Sequence, residues 1–282
     1  MLVIKRLAAL AVAVVAGVAV GGAAGDVAWA GTGQPSPWQI GFQGSVTPVA
    51  DYIHWFHDWL LVIITLITLF VLGLLVAVVV KFNARANPTP SRTTHNTFLE
   101  VAWTLVPVII LVVIAVPSFK LLFMQTVLPP ADLTIKATGK QWYWSYAYPD
   151  SNFEFDSLML KDNERKPDQP RLLAVDNEIV VPVNKNVRVQ VIGADVIHAF
   201  AVPSFGIIID AVPGRLNETW FKATREGMYY GQCRELCGKD HAFMPIAVRV
   251  VSERDFATWL EQAKRKYAAI DGTRAANVLA AK

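Results

Sequence analysis

One feature limits what this chain can fold into: a pair of long runs almost free of charge. Residues 59–80 carry no charged side chain, and residues 101–122 carry only Lys120, near the end. At about 1.5 Å per residue each run reaches roughly 33 Å as a helix, enough to cross a bilayer's hydrocarbon core. Pro107 and Pro117 lie in the second run and are tolerated where neighbouring groups repair the lost hydrogen bonds. Two buried helices of a soluble protein would seldom be so long and so uniformly apolar. The loop between the runs holds Lys81, Arg85 and Arg92 and no acid before Glu100, so it belongs in the cytoplasm and the chain re-emerges outside. Trp55 and Trp59 suit the outer interface and Trp103 the inner one.

A third apolar run, residues 7–20, follows Lys5 and Arg6 and fades into Gly21-Gly22-Ala23-Ala24-Gly25. With Ala28-Trp29-Ala30 after it, it reads as a cleaved export signal over residues 1–30 rather than a first span. The 54% hydrophobic content is thus concentrated before residue 125, and the remainder has the composition of a soluble domain. Residues 131–282 hold 20 Lys and Arg against 19 Asp and Glu, with no basic stripe for nucleic acid. Charged partners must be met by local patches.

After Pro129-Pro130 come short β-rich runs at 133–138, 141–148, 179–183 and 187–192. Turn signals separate them: Pro149-Asp150, Asn184-Lys185-Asn186 and Pro213-Gly214. Residues 187–191 alternate apolar and polar. Many short strands without amphipathic helices predict an antiparallel sandwich. Helical spacing returns at 253–266, and the Ala-rich tail beyond it is expected to be loosely ordered. The domains expected are 1–30 (signal), 31–128 (N-terminal segment and helical hairpin), 129–252 (exported β-domain) and 253–282 (C-terminal helix and tail).

The two cysteines of the chain, Cys233 and Cys237, stand in Cys233-Arg-Glu-Leu-Cys237-Gly-Lys-Asp-His241-Ala-Phe-Met244, and His198 lies upstream. Two cysteines in an exported domain can form a disulfide, and a close pair can hold zinc. A disulfide leaves His198, His241 and Met244 without a reason, and zinc does not call for a thioether. Thiolate, imidazole and thioether together are the preference of copper electron-transfer sites. Two sulfurs can bridge two coppers, with His198 and His241 at the two ends, Met244 a weak ligand to one and the backbone carbonyl of Glu235 a weak ligand to the other.

These residues resemble the copper A subunit, subunit 2, of haem-copper cytochrome c oxidases. The likeness extends through the helical hairpin, the aromatic run Gln141-Trp-Tyr-Trp-Ser-Tyr, the stretch from His198 to Gly206, Asp210 to Arg215, and Tyr230-Gly-Gln-Cys233 to Met244-Pro. The implied fold is a two-helix transmembrane hairpin followed by an all-β, cupredoxin-like Greek-key sandwich. The resemblance implies a dinuclear copper centre that takes electrons from cytochrome c, with Trp142 as the point of electron input, and passes them to a haem in subunit 1. Oxygen reduction and proton pumping would belong to that partner. Tyr143, Asp176 and Asp195 are expected at the docking surface, with Asp150 and Glu154 nearby, although Ala147 stands where an acid is often found. Glu235 would also reach a magnesium ion shared with subunit 1. Glu100, which position alone marks as a helix-start carboxylate, would lie at a proton-channel entrance. The partners implied are oxidase subunits 1 and 3, cytochrome c and membrane lipid, in a bacterial inner membrane with the C-terminal domain in the periplasm. A copper-delivery protein is disfavoured by the aromatic run and anchor, and nitrous oxide reductase by the lack of residues for its further domain.

Overall fold

The structure, a computed structural model, describes residues 33–280, and only the backbone of 268–280. The expected signal segment 1–30 lies outside the described residues.

Two helices come first, α1 (Pro48–Lys81) and α2 (Thr97–Thr126). Thr47 accepts the Ala50 amide at the start of α1, and Asn96 accepts the Leu99 amide at the start of α2. Both fill donors that a helix start leaves unpaired. The Asn83 amide donates to the carbonyls of Val79 and Val80, closing the end of α1. Trp55 stacks on Trp59 at 6.2 Å. The most apolar stretch of each helix is wholly unburied, which suits hydrocarbon rather than water. Both helices outrun the predicted spans, because α1 begins among residues that pack on the β-domain: Val49 and Ala50 are buried.

The second unit is a sandwich of ten strands: β1 (Leu133–Lys140), β2 (Tyr143–Tyr148), β3 (Phe153–Ser157), β4 (Ile179–Pro182), β5 (Val187–Gly193), β6 (His198–Val202), β7 (Ile207–Ala211), β8 (Asn217–Phe221), β9 (Gly227–Cys233) and β10 (Pro245–Val251). One sheet has the order β3-β2-β1-β5-β8 and the other β4-β10-β9-β6-β7. The expected antiparallel sandwich needs correction, since β1 pairs with β5 and β10 with β4 in parallel. Connections that cross between sheets allow this, and no local sequence pattern records it. Leu133, Ile135 and Ala137 alternate inward on β1, as do Val187, Val189 and Val191 on β5. Tyr148 ties the layers together: its hydroxyl donates to the Val180 carbonyl and accepts the Val180 amide.

A last helix, α3 (Glu253–Ala280), starts where Ser252 accepts the Asp255 amide. Trp259 and Tyr267 lie against the rings of Tyr148, Phe153 and Phe155. The tail expected to be loose continues as helix through Ala280, in keeping with alanine's high helix propensity. The predicted strand 141–148 begins two residues late. Lys140 pairs with Tyr143, so Gln141 and Trp142 form the two-residue turn of a hairpin.

Candidate metal centre

One end of the sandwich gathers the sulfur and imidazole groups. His198 opens β6, Cys233 closes β9, and Met244 directly precedes β10. Phe200 pairs with Cys233 in the β6–β9 ladder, so strand register sets the first cysteine near His198. The loop from 234 to 244 then carries Cys237 and His241 back over that end. The ligand atoms of His198, Cys233 and Cys237 all lie within 4.8 Å of one another.

Both cysteines are free, with Sγ atoms 4.0 Å apart. The Cys233 sulfur has His198 Nδ1 at 4.0 Å and the Glu235 carbonyl at 3.3 Å. The Cys237 sulfur has His241 Nδ1 and Met244 Sδ, each at 3.5 Å. His198 and the Glu235 carbonyl thus adjoin Cys233, and His241 and Met244 adjoin Cys237. This set of soft and borderline donors fits copper, and fits zinc less well, since zinc has no use for the thioether. Burial pushes the Cys233 thiol up, but hydrogen bonds with His198, the backbone at Ala199 and Glu235, and His241 outweigh it and hold it below its ordinary value. Burial and then the charge of Cys233 push Cys237 up.

The surroundings fix the ring of His198, which is fully buried. Asp195 Oδ1 lies 2.9 Å from its Nε2, leaving Nδ1 to face the sulfurs. The same carboxylate accepts the amides of Gln141 and Val196, both at 2.7 Å. Burial alone would raise the Asp195 pKa, yet these bonds, led by that from His198, lower it. Gly139 backs the ring, because a Cβ there would come within 2.8 Å of it. Trp144 meets His198 edge-on at 6.0 Å and donates to the Met244 carbonyl at 3.3 Å. An Asp three residues before a His was visible in the sequence, but only the loop's fold turns it into a clamp.

Trp142 does not share a strand face with Trp144 as the alternation predicts, because it sits in the turn. Its ring nitrogen donates to the Cys237 carbonyl at 3.2 Å, and the Gln141 amide donates to the same oxygen at 2.9 Å. Gly238 (φ +125°) makes room, since a Cβ there would meet the Trp142 ring at 2.9 Å. Trp142 is half-buried, next to Tyr143, over which Lys140 Nζ lies at 5.1 Å. Asp176 accepts the Leu158 amide just beyond the Ser157–Trp144 pair, which keeps it at the Trp142 end. Glu154, opposite Ala147, lies about 16 Å from Trp142 along the β2–β3 hairpin, and Asp150, beyond Tyr148, lies about 20 Å away, at about 3.3 Å per residue. The structure therefore groups Asp176 and Asp195 with Trp142 and sets those two acids apart. The Glu235 side chain is exposed, and Glu100 stands exposed in the first turn of α2.

Comparison with known proteins gives two matching families: cytochrome c oxidase subunit II, periplasmic domain, over residues 133–251, and cytochrome c oxidase subunit II, transmembrane domain, over residues 35–121. A probable cytochrome c oxidase subunit 2 of Rickettsia bellii is 57% identical over 237 residues, covering 84% of this chain and 88% of that one. Cytochrome c oxidase subunit 2 of Cereibacter sphaeroides is 50% identical over 250 residues, covering 82% of each. Among solved structures, the periplasmic domain of subunit II of cytochrome oxidase of Bradyrhizobium japonicum is 72% identical, covering 50% of this chain and 99% of that one, with a TM-score of 0.47.

Proposed function

Because the chain belongs to the cytochrome c oxidase subunit II family, part of the haem-copper oxidase complex, we propose that His198, Cys233, Cys237, His241, Met244 and the Glu235 carbonyl hold two copper ions. When bound, this pair supplies a one-electron relay between cytochrome c and a haem in subunit 1, where oxygen is reduced and protons are pumped. The observation that carries the reading is the donor set around two buried sulfurs 4.0 Å apart: two imidazoles, a backbone carbonyl and a thioether.

The residues of this chain have definable tasks in that reading. Asp195 and Gly139 hold the His198 ring in one orientation, so the ligand need not reorganise when charge changes. The two thiols are shielded from water. Trp142 links the outer surface to the Cys237 carbonyl and offers a short path for electron input. Asp176 and Asp195 flank it as docking acids for a basic cytochrome c, with Tyr143 beside them. Asp150 and Glu154, further along the β2–β3 hairpin, would lie towards the edge of that contact. The Glu235 carboxylate is free to take a magnesium ion together with groups from subunit 1, since carboxylate oxygen suits that hard cation. Glu100 would serve at a proton-channel entrance on the cytoplasmic side. The setting is a bacterial inner membrane with the β-domain in the periplasm, beside subunits 1 and 3.

Copper content and an electron paramagnetic resonance spectrum of the reconstituted β-domain test the centre directly. Two coppers per chain, with hyperfine structure from two equivalent nuclei, are expected. A folded domain that takes up one copper or none under reducing conditions overturns the proposal.

A further inference from the structure

The second sheet carries three of the candidate ligands: His198 on β6, Cys233 on β9 and Met244 next to β10. A large side chain of the first sheet crosses the core to meet them. Trp144, on β2, is fully buried. Its ring lies edge-on to His198 at 6.0 Å and to Phe200 at 5.5 Å, and Phe200 is the ladder partner of Cys233. Its Nε1 donates to the Met244 carbonyl at 3.3 Å. Two residues earlier, Trp142 Nε1 donates to the Cys237 carbonyl at 3.2 Å. Two indoles of one hairpin thus hold the carbonyls of Cys237 and Met244, whose sulfur atoms are 3.5 Å apart. Trp142 is half-buried and open to a partner, whereas Trp144 has no surface that a donor could touch.

Met244 needs an anchor. It stands between the short helical turn His241–Phe243 and β10, outside both. A methionine side chain turns about three bonds and adapts to its surroundings, so its sulfur is only as well placed as its backbone. A buried indole N–H takes a hydrogen-bond partner, and any core carbonyl would satisfy that need. Here the acceptor belongs to a sulfur residue of the centre itself.

We propose that Trp144 is a positioning residue: through the Met244 carbonyl it fixes how closely the thioether approaches the metal, and so sets the reduction potential of the centre. This role presupposes copper at Met244, as proposed for the centre. The weak axial ligand is one of the groups that tune the potential of copper electron-transfer sites, so a small displacement of Met244 is felt there. The two indoles then divide the work, Trp142 at the surface for electron input and Trp144 in the core for the potential.

The test is a redox titration of the detergent-purified, copper-loaded full-length chain, followed by paramagnetic resonance, with copper content and a thermal melt for each variant. Benzothienylalanine at position 144 keeps the shape of the indole and lacks its N–H. With two coppers retained, the ratio of reduced to oxidised centre at a fixed ambient potential is expected to rise about two- to tenfold, the net worth of one hydrogen bond. The direction follows because a slackened thioether donates less to oxidised copper. Trp144→Phe shifts the potential the same way and also lowers the melting temperature; if it fails to fold, the isostere decides. Trp259→Phe, in the aromatic cluster under α3, lowers the melting temperature and leaves the potential alone. In a Met244→Leu background the isostere adds no further shift. If that variant sheds copper, Met244→Gln, which keeps a weak axial donor, takes its place. An unchanged potential in the isostere with two coppers bound overturns the proposal and leaves the copper reading standing. An equal shift with and without Met244 also overturns it and assigns the effect to the His198 contact. A folded wild-type chain that takes up fewer than two coppers overturns both.

Discussion

Cys233 and Cys237 have distinct neighbours, and their substitutions should separate accordingly. Cys237→Ser removes the sulfur beside His241 and Met244 while leaving Cys233 with His198 and the Glu235 carbonyl. We expect copper content to fall to one per chain or less, with hyperfine structure from a single nucleus; metal analysis and paramagnetic resonance read both. Asp195→Asn keeps the shape of the side chain but weakens its grip on His198 Nε2. Loss of such an outer partner typically costs about 10- to 100-fold in metal affinity. The expected result is weaker copper retention against a chelator with an unchanged melting temperature. The donor set was legible in the sequence because five soft or borderline side chains crowd into 47 positions, from His198 to Met244. Asp195 read only as a surface acid, since sequence spacing in a loop says nothing about which ring nitrogen a carboxylate will face.

Among the elements, β2 shows where pattern reading works and where it stops. Its aromatic content marks a strand, and Trp144, Tyr146 and Tyr148 are indeed buried. The hairpin turn at Gln141-Trp142 lacks Gly and Asn, the usual signals, so Trp142 reads as strand although it lies outside the ladder. Parallel pairing of β1 with β5 was invisible for another reason: it depends on which sheet a crossover enters, not on residue alternation. The long apolar runs within the two helices were legible because bilayer thickness imposes their length. Two tyrosines on β2 test the polar accounting of the core. Tyr148 exchanges two hydrogen bonds with Val180, whereas the buried Tyr146 hydroxyl has no partner among the described residues. Tyr148→Phe leaves the Val180 groups unpaired and should cost about 1–3 kcal/mol, whereas Tyr146→Phe should be neutral or stabilising. Denaturant unfolding of the β-domain distinguishes the two; equal losses would contradict this assignment.

For the whole molecule, charge balance decides how a donor can be recruited. Residues 131–282 are nearly neutral, 20 basic against 19 acidic, so in the proposed reading long-range attraction for a basic cytochrome would be weak and recognition would depend on local acids. In that reading Asp176 and Asp195 at the Trp142 end would serve, and Asp195 is already committed to His198. Asp176 is thus the acid whose removal probes docking with least disturbance of the centre. For Asp176→Asn we expect the KM for a basic cytochrome c to rise about two- to fivefold, the worth of an exposed charge pair, while kcat and copper content stay constant. The Debye length shortens to about 8 Å at physiological ionic strength, so the difference between variant and wild type should shrink as salt rises. Steady-state oxidation of cytochrome c by the assembled oxidase across a salt series provides the measurement. A fall in kcat without a change in KM would place Asp176 on the electron path instead of the landing surface. Conversely, Trp142→Phe should lower the electron-transfer rate with little change in KM, because its ring joins the surface to the Cys237 carbonyl and carries no charge for the donor to find.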